Sequence, residues 1–318
     1  MTTKNQSGTK NVQNADLSVE NLQETENRAT FAQRRESFSK LLYYDPMSDF
    51  GFKKLFGKEK VMRAFLNDLL EPASPITKVI FKDKEKMPAT EEERRSIFDL
   101  RCETADGKDF IVEMQRAKHK YFSDRILYYL SRGVELAEPG NKRSYEIKPI
   151  YGIFLLDFRL SELLPRTIRR IRFMVDGTNE VFNDKIQAYT IEFPSFYEMK
   201  ESDCQTNMDI WIYNLLNMGT MTEPLGFRER MPIFDEIANM ADLSKLSKEE
   251  YEAYFWECEN RHSNRLIIEE GLERAREEGA IEERNKIAIS MKKNGASTDF
   301  IVKCLNMSIE EVEALPTE

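Results

Sequence analysis

Residues 98–115 read FDLRCETADGKDFIVEMQ, two short alternating runs around the turn signal Asp106-Gly107. Side chains of a strand alternate between faces. Phe110, Val112 and Met114 therefore share one face of the second run, and Ile111, Glu113 and Gln115 the other. In the first run Ile97, Asp99, Arg101 and Glu103 share a face. Turn length decides whether Asp99 and Glu113 meet. A two-residue loop at Asp106-Gly107 opposes Leu100 to Glu113 and turns Asp99 away. A three-residue loop, Ala105-Asp106-Gly107, pairs Thr104 with Lys108 and sets Asp99 opposite Glu113. The second geometry is a type I turn closed by a left-handed residue, and Gly107 stands where that residue belongs. It is the geometry expected.

Two carboxylates facing each other across a ribbon repel unless positive charge lies between them. A divalent cation resolves the conflict. Mg²⁺ prefers hard oxygen ligands and keeps waters, so two carboxylates and one backbone carbonyl suffice. Such an ion activates water and neutralises charge building on a phosphate. The plainer alternative is a solvated polar face with Arg101 as counterion, and residue types alone favour it.

The rest of the chain limits which chemistry is available. With only 2 histidines and 4 cysteines in 318 residues, zinc patterns and Ser-His-Asp or Cys-His catalysis are poorly supplied. The cysteines show no CxxC spacing and read as reduced thiols. Carboxylates are left to carry any reaction. No run approaches the ~18 apolar residues of a spanning helix, and the first forty residues lack the apolar centre of a signal peptide. A cytoplasmic protein without membrane contact is expected. The net charge of −9 is unevenly placed. Residues 247–318 hold 17 acids and 10 bases, a balance of −7, which leaves −2 for residues 1–246. A phosphate-facing surface is compatible with that larger part.

Residues 1–38 are polar and nearly free of large apolar side chains, the composition of a disordered extension. Apolar residues from Met47 to Leu70 recur at helical intervals broken near Gly57, predicting two short helices. Strands are expected at Val79–Phe81, Ile150–Phe158, Thr167–Val175 and Gln187–Phe193, with Ile150–Phe158 buried on both faces. Lys82–Arg95 reads as a loop or exposed hairpin, and Lys118–Glu138 as a helix ended by Pro139-Gly140. Beyond Asp203 the pattern turns helical: Met208–Met218, Met231–Met240, and a charged helix from Lys248 to about Lys293. A closing helix pair follows, with Ser308 and Glu311 forming a capping box.

The order Asp99, glycine turn, Glu113-x-Gln115, helix resembles the PD-(D/E)XK nuclease core. In that core the first Asp and the Glu bind metal, and the third residue, usually Lys, positions the attacking water. The chain is further similar to the recombination-promoting nuclease and transposase-like branch of that superfamily. The similarity lies in SDFGFKKLFG (Ser48–Gly57), IFDLRCETADGKDFIVEMQ, DRILYYLSR (Asp124–Arg132) and YEIKPIYGIFLLDF (Tyr145–Phe158). These segments stand in the family's order and span roughly residues 43–160. Gln115 departs from the general pattern, as is common in this branch. A neutral amide orients water but brings no positive charge to a developing oxyanion. Lys53, Lys54, Lys118 and Arg125 are candidates to compensate.

The resemblance also places Asp49 near the metal as a further ligand or as a holder of water. Helix N-capping by Ser48 or Asp49 is an equal alternative. Lys53 is a candidate phosphate contact. Arg125, Tyr129 and Arg132 share one helix side by spacing, with Arg suited to phosphate and Tyr to stacking; a packed Tyr129 is the plainer expectation. His119 reads as exposed. The Arg169-Arg170-x-Arg172 run suits either a DNA backbone or a charge-protected edge strand.

The expected fold is an α/β restriction-endonuclease-like core at residues 43–200, a mixed central sheet flanked by helices. A helical extension at 201–246 packs on it, and a charged helix with a terminal helix pair fills 247–318. The expected activity is Mg²⁺-dependent DNA endonuclease cleavage promoting recombination, with Mn²⁺ as the alternative ion. Asp99, Glu113, the Met114 carbonyl and Asp49 would serve the metal, and Gln115 the water. DNA is the expected partner, with self-association through the C-terminal helices. The rival readings are a weakly active or inactive DNA-binding and assembly protein on the same fold, and an interaction module built on the C-terminal helices.

Overall fold

The computed structural model describes residues 31–82, 99–137, 145–161 and 168–316. The chain divides into two compact units, residues 1–254 and 255–318. The first is built on a mixed six-stranded sheet in the order β1-β2-β3-β4-β6-β5. Its strands are β1 (Val79–Phe81), β2 (Leu100–Thr104), β3 (Asp109–Gln115), β4 (Ile150–Leu156), β5 (Ile168–Met174) and β6 (Val181–Glu192). β3, β4 and β6 run parallel, whereas β1, β2 and β5 join antiparallel at the edges. Central β4, IYGIFLL, is buried on both faces apart from half-buried Tyr151, as a parallel strand covered on both sides requires.

Helices α1 (residues 31–39), α2 (Asp49–Phe56), α3 (Glu59–Leu70), α5 (Asn207–Asn217) and α6 (Ile233–Ala241) complete this unit with α4 (Phe122–Leu136). α2 and α3 are the two predicted short helices, separated at Gly57. Phe52, Phe56, Phe65, Trp211 and Phe234 meet in an aromatic cluster linking α2, α3, α5 and α6. The segment before α2 is tied to the one after α6: Tyr44 N–H donates to the Ala241 carbonyl and Leu243 N–H to the Leu42 carbonyl, at 3.0 and 2.9 Å. Residues 201–246 are thereby stitched into the sheet-bearing unit.

Helix α4 covers one sheet face with Phe122, Ile126, Tyr129 and Leu130, which pack with Ile111, Ile150, Phe154 and Leu156. Gly133 permits the approach: a Cβ there would stand 2.8 Å from Ile111 Cδ1 and 3.1 Å from Ile150 Cγ2. The opening hairpin takes the three-residue loop. Gly107 has φ +81°. Its N–H donates to the Thr104 carbonyl, and Thr104 N–H to the Lys108 carbonyl, both at 2.9 Å.

Two expectations are corrected. Residues 31–39 are helical rather than disordered, because Phe38 is buried against Tyr251 and Tyr254, a tertiary contact that polar composition does not announce. Residues 1–30 lie outside the described residues, as do residues 83–95 of the expected loop and Pro139-Gly140. The compact unit runs to Tyr254 rather than ending near 246: Tyr254 is buried, and its hydroxyl accepts from Asp45 N–H at 2.6 Å.

Helix α7 (Lys248–Lys293) begins in the first unit and continues through the second, followed by α8 (Thr298–Leu305) and α9 (Ile309–Ala314). The second unit has a small core of Ala288, Ile301, Met307 and Val312. Ser308 and Glu311 form the expected capping box. Lys292 Nζ donates to the Val312 and Leu315 carbonyls at 2.9 and 2.7 Å, satisfying carbonyls that a helix end leaves open. No helix among the described residues is long and apolar enough to cross a membrane.

Candidate active site

The ladder between β2 and β3 runs from Leu100 opposite Val112 to Glu103 opposite Asp109. One step further along the same register, Asp99 stands opposite Glu113. Each acid accepts from a backbone N–H of the facing segment. Asp99 N–H donates to Glu113 Oε1 at 2.8 Å, and Met114 N–H donates to Asp99 Oδ2 at 2.9 Å. Gln115 Nε2 donates to Glu113 Oε2 at 3.3 Å. Asp99, Glu113 and Gln115 are thus brought together, as their spacing predicts.

Arg101, the counterion that an inert polar face would need, is committed elsewhere. Its Nε and Nη2 donate to the two Asp109 oxygens at 3.0 and 2.6 Å. The bidentate geometry and near-complete burial make that pair a fixed one.

Glu113 is 1% exposed. Burial and the neighbouring Asp99 charge push its carboxyl up to about 8, while Arg125 and Gln115 draw it back. Arg125 therefore lies within electrostatic reach of the acids. It is held over Tyr129, whose hydroxyl accepts from Arg125 Nη2 at 2.6 Å and Nε at 3.0 Å, with the guanidinium 5.2 Å from the ring centroid. Burial and the Glu113 charge raise the Tyr129 hydroxyl in turn.

Of the two readings of Tyr129, stacking platform or packed ring, the structure has the packed one, the plainer expectation. Its ring is 3% exposed and lies parallel to Phe154, 4° apart with centroids at 6.3 Å, so it forms a wall of the site and offers no face to a base. Arg132 is largely buried and pairs with Glu135 at 2.5 Å. Lys53 pairs with Asp49 one turn earlier at 2.6 Å, and Ser48 caps α2 by accepting from Gly51 N–H at 2.8 Å. Asp49 is largely exposed. Among the described residues no three His, Cys, Asp or Glu side chains gather at metal-holding distances, so Asp49 does not join Asp99 and Glu113 in a cluster. His119 is exposed, as expected.

Two acids near the ends of the parallel strands escaped the sequence reading. Asp45 accepts from Arg116, the residue after Gln115, at 3.3 Å. Glu192 is 1% exposed at the end of β6. No local signal marks either, because their partners are far away in the chain.

The donor set suits a hard divalent cation. Two adjacent carboxylates fixed by backbone N–H groups, beside the Met114 carbonyl, carry a charge conflict that such an ion relieves. The family model described as PD-(D/E)XK nuclease family transposase matches residues 46–271. No curated protein and no solved structure matches the chain.

Proposed function

Because the chain belongs to the PD-(D/E)XK nuclease family transposases, we propose that it hydrolyses DNA phosphodiester bonds with Mg²⁺ or Mn²⁺ and so promotes recombination. One observation carries the reading: across adjacent segments Glu113 accepts from Asp99 N–H and Asp99 from Met114 N–H, while Arg101 is diverted to Asp109. Asp99, Glu113 and the Met114 carbonyl would hold the ion, which when bound supplies a Lewis acid and a more acidic water. Gln115, tethered to Glu113, orients the attacking water. Arg125, fixed on Tyr129, provides the positive charge that Gln115 lacks, and transition-state charge is best met by such preorganised groups. Nicking of supercoiled plasmid with Mg²⁺ is the test. Asp99→Ala and Glu113→Ala each abolish it, and cleavage surviving in both variants would remove these residues from the mechanism.

A second reading, a DNA-binding and assembly protein with little or no cleavage, is favoured by the neutral Gln115. Salt-sensitive DNA binding without nicking in Mg²⁺ or Mn²⁺ would establish it. Self-association is proposed for the second unit, where Leu266, Ile267, Ile268 and Leu272 of α7 are exposed. Sedimentation of the full chain against an Ile268→Lys variant tests this.

A further inference from the structure

Strand register carries the site's sheet face across to β5 and β6. Gln115 pairs with Leu156, and Leu156 with Glu192. Glu113 pairs with Phe154, Phe154 with Thr190, and Thr190 with Arg169. Paired residues share a face, so Glu192 and Arg169 lie on the same face as the acid pair. Beneath them the buried Thr190 hydroxyl has no hydrogen-bond partner among the described residues. At 4.7–4.9 Å per strand, Glu192 stands roughly 10 Å from Gln115.

Glu192 is a buried carboxylate, and such a group persists where it holds something in place. It pairs with Arg169 and accepts from Leu160 N–H at 3.3 Å, which fixes the loop after β4 that bears Arg159. Burial raises its carboxyl despite the opposing pull of Arg169, then the Leu160 N–H, Arg159 and Lys118. Arg169 thus pairs with the acid directly while the charges of Arg159 and Lys118 act on it, and Lys118 and Arg159 are exposed. They project from the loops after β3 and β4, at the carboxyl ends of parallel strands where open α/β sheets bind ligands.

We propose that Lys118 and Arg159, set in place by the Glu192–Arg169 pair, grip a backbone phosphate of the nucleic-acid strand whose scissile bond lies at Asp99 and Glu113. This rests on the nuclease reading and adds a site to it. The test is fluorescence anisotropy of the full chain with a 20-base-pair duplex in EDTA, titrated from 50 to 200 mM salt. The Lys118→Ala/Arg159→Ala double variant is expected to bind more weakly, with the slope of log affinity against log salt flattened by about one, the share of a single phosphate. Wild-type slope and affinity in the double variant would overturn the grip, as would a wild-type chain that does not bind the duplex. Plasmid nicking in Mg²⁺ judges the acid pair independently of either result.

Discussion

At the scale of single residues, Glu113 couples the site to pH. Its carboxyl sits at about 8 in the fold against an ordinary 4.5. Between those values the native state holds more protons than the unfolded chain, so stability falls as pH rises. The contribution is complete below about 4.5 and gone above about 8. Thermal melts of the metal-free protein from pH 5 to 9 should show a declining Tm, and Glu113→Gln should flatten the decline. Parallel curves for the two proteins would remove Glu113 as its source. A divalent ion held by Glu113, as proposed, would displace the same proton. Calorimetric Mg²⁺ titration should therefore show affinity rising with pH to about 8 and a proton released to buffer.

At the scale of elements, the hairpin and α4 bear the tolerance of the design. Deleting Ala105 shortens the turn to two residues, shifts the register by one and sends Asp99 to the opposite face. Nicking should then be lost while circular dichroism stays close to wild type; retained nicking would show that the register does not set the site. Gly133→Ala forces a methyl against Ile111 and Ile150, an overpacking worth about 1–3 kcal/mol. Chemical denaturation should register that loss, since the helix is closely apposed to the sheet and both neighbours are buried.

For the whole molecule, the boundary at Tyr254 sets what can be removed. A stop codon after Asn260 keeps Tyr254 on Asp45 and should preserve a cooperative melt and plasmid nicking. A stop after Asp242 removes the buried Tyr254 ring that packs on Phe38, Tyr44 and Phe50. Loss of so large a buried aromatic costs about 3–5 kcal/mol. Limited proteolysis should find that shorter product unstable. Equal resistance in the two truncations would place the boundary earlier.

Local physics made the hairpin legible in the sequence. A glycine at the left-handed position fixes turn length, turn length fixes register, and a period of two fixes faces. Asp99, Glu113 and Gln115 could therefore be placed together from eighteen residues. The apolar run of β4 and the periodicity of α2 and α3 were readable for the same reason. Only the tertiary structure decided which cation meets which acid. Arg101 goes to Asp109, Arg125 reaches Glu113 from a helix, and Glu192 pairs with Arg169 of the neighbouring strand while feeling the charges of Arg159 and Lys118 from loops after β4 and β3. It also decided that Tyr129 is wall rather than platform, and that residues 31–39 fold. Burial and long-range charge pairing arise when distant segments share one space, and no window of sequence contains that information.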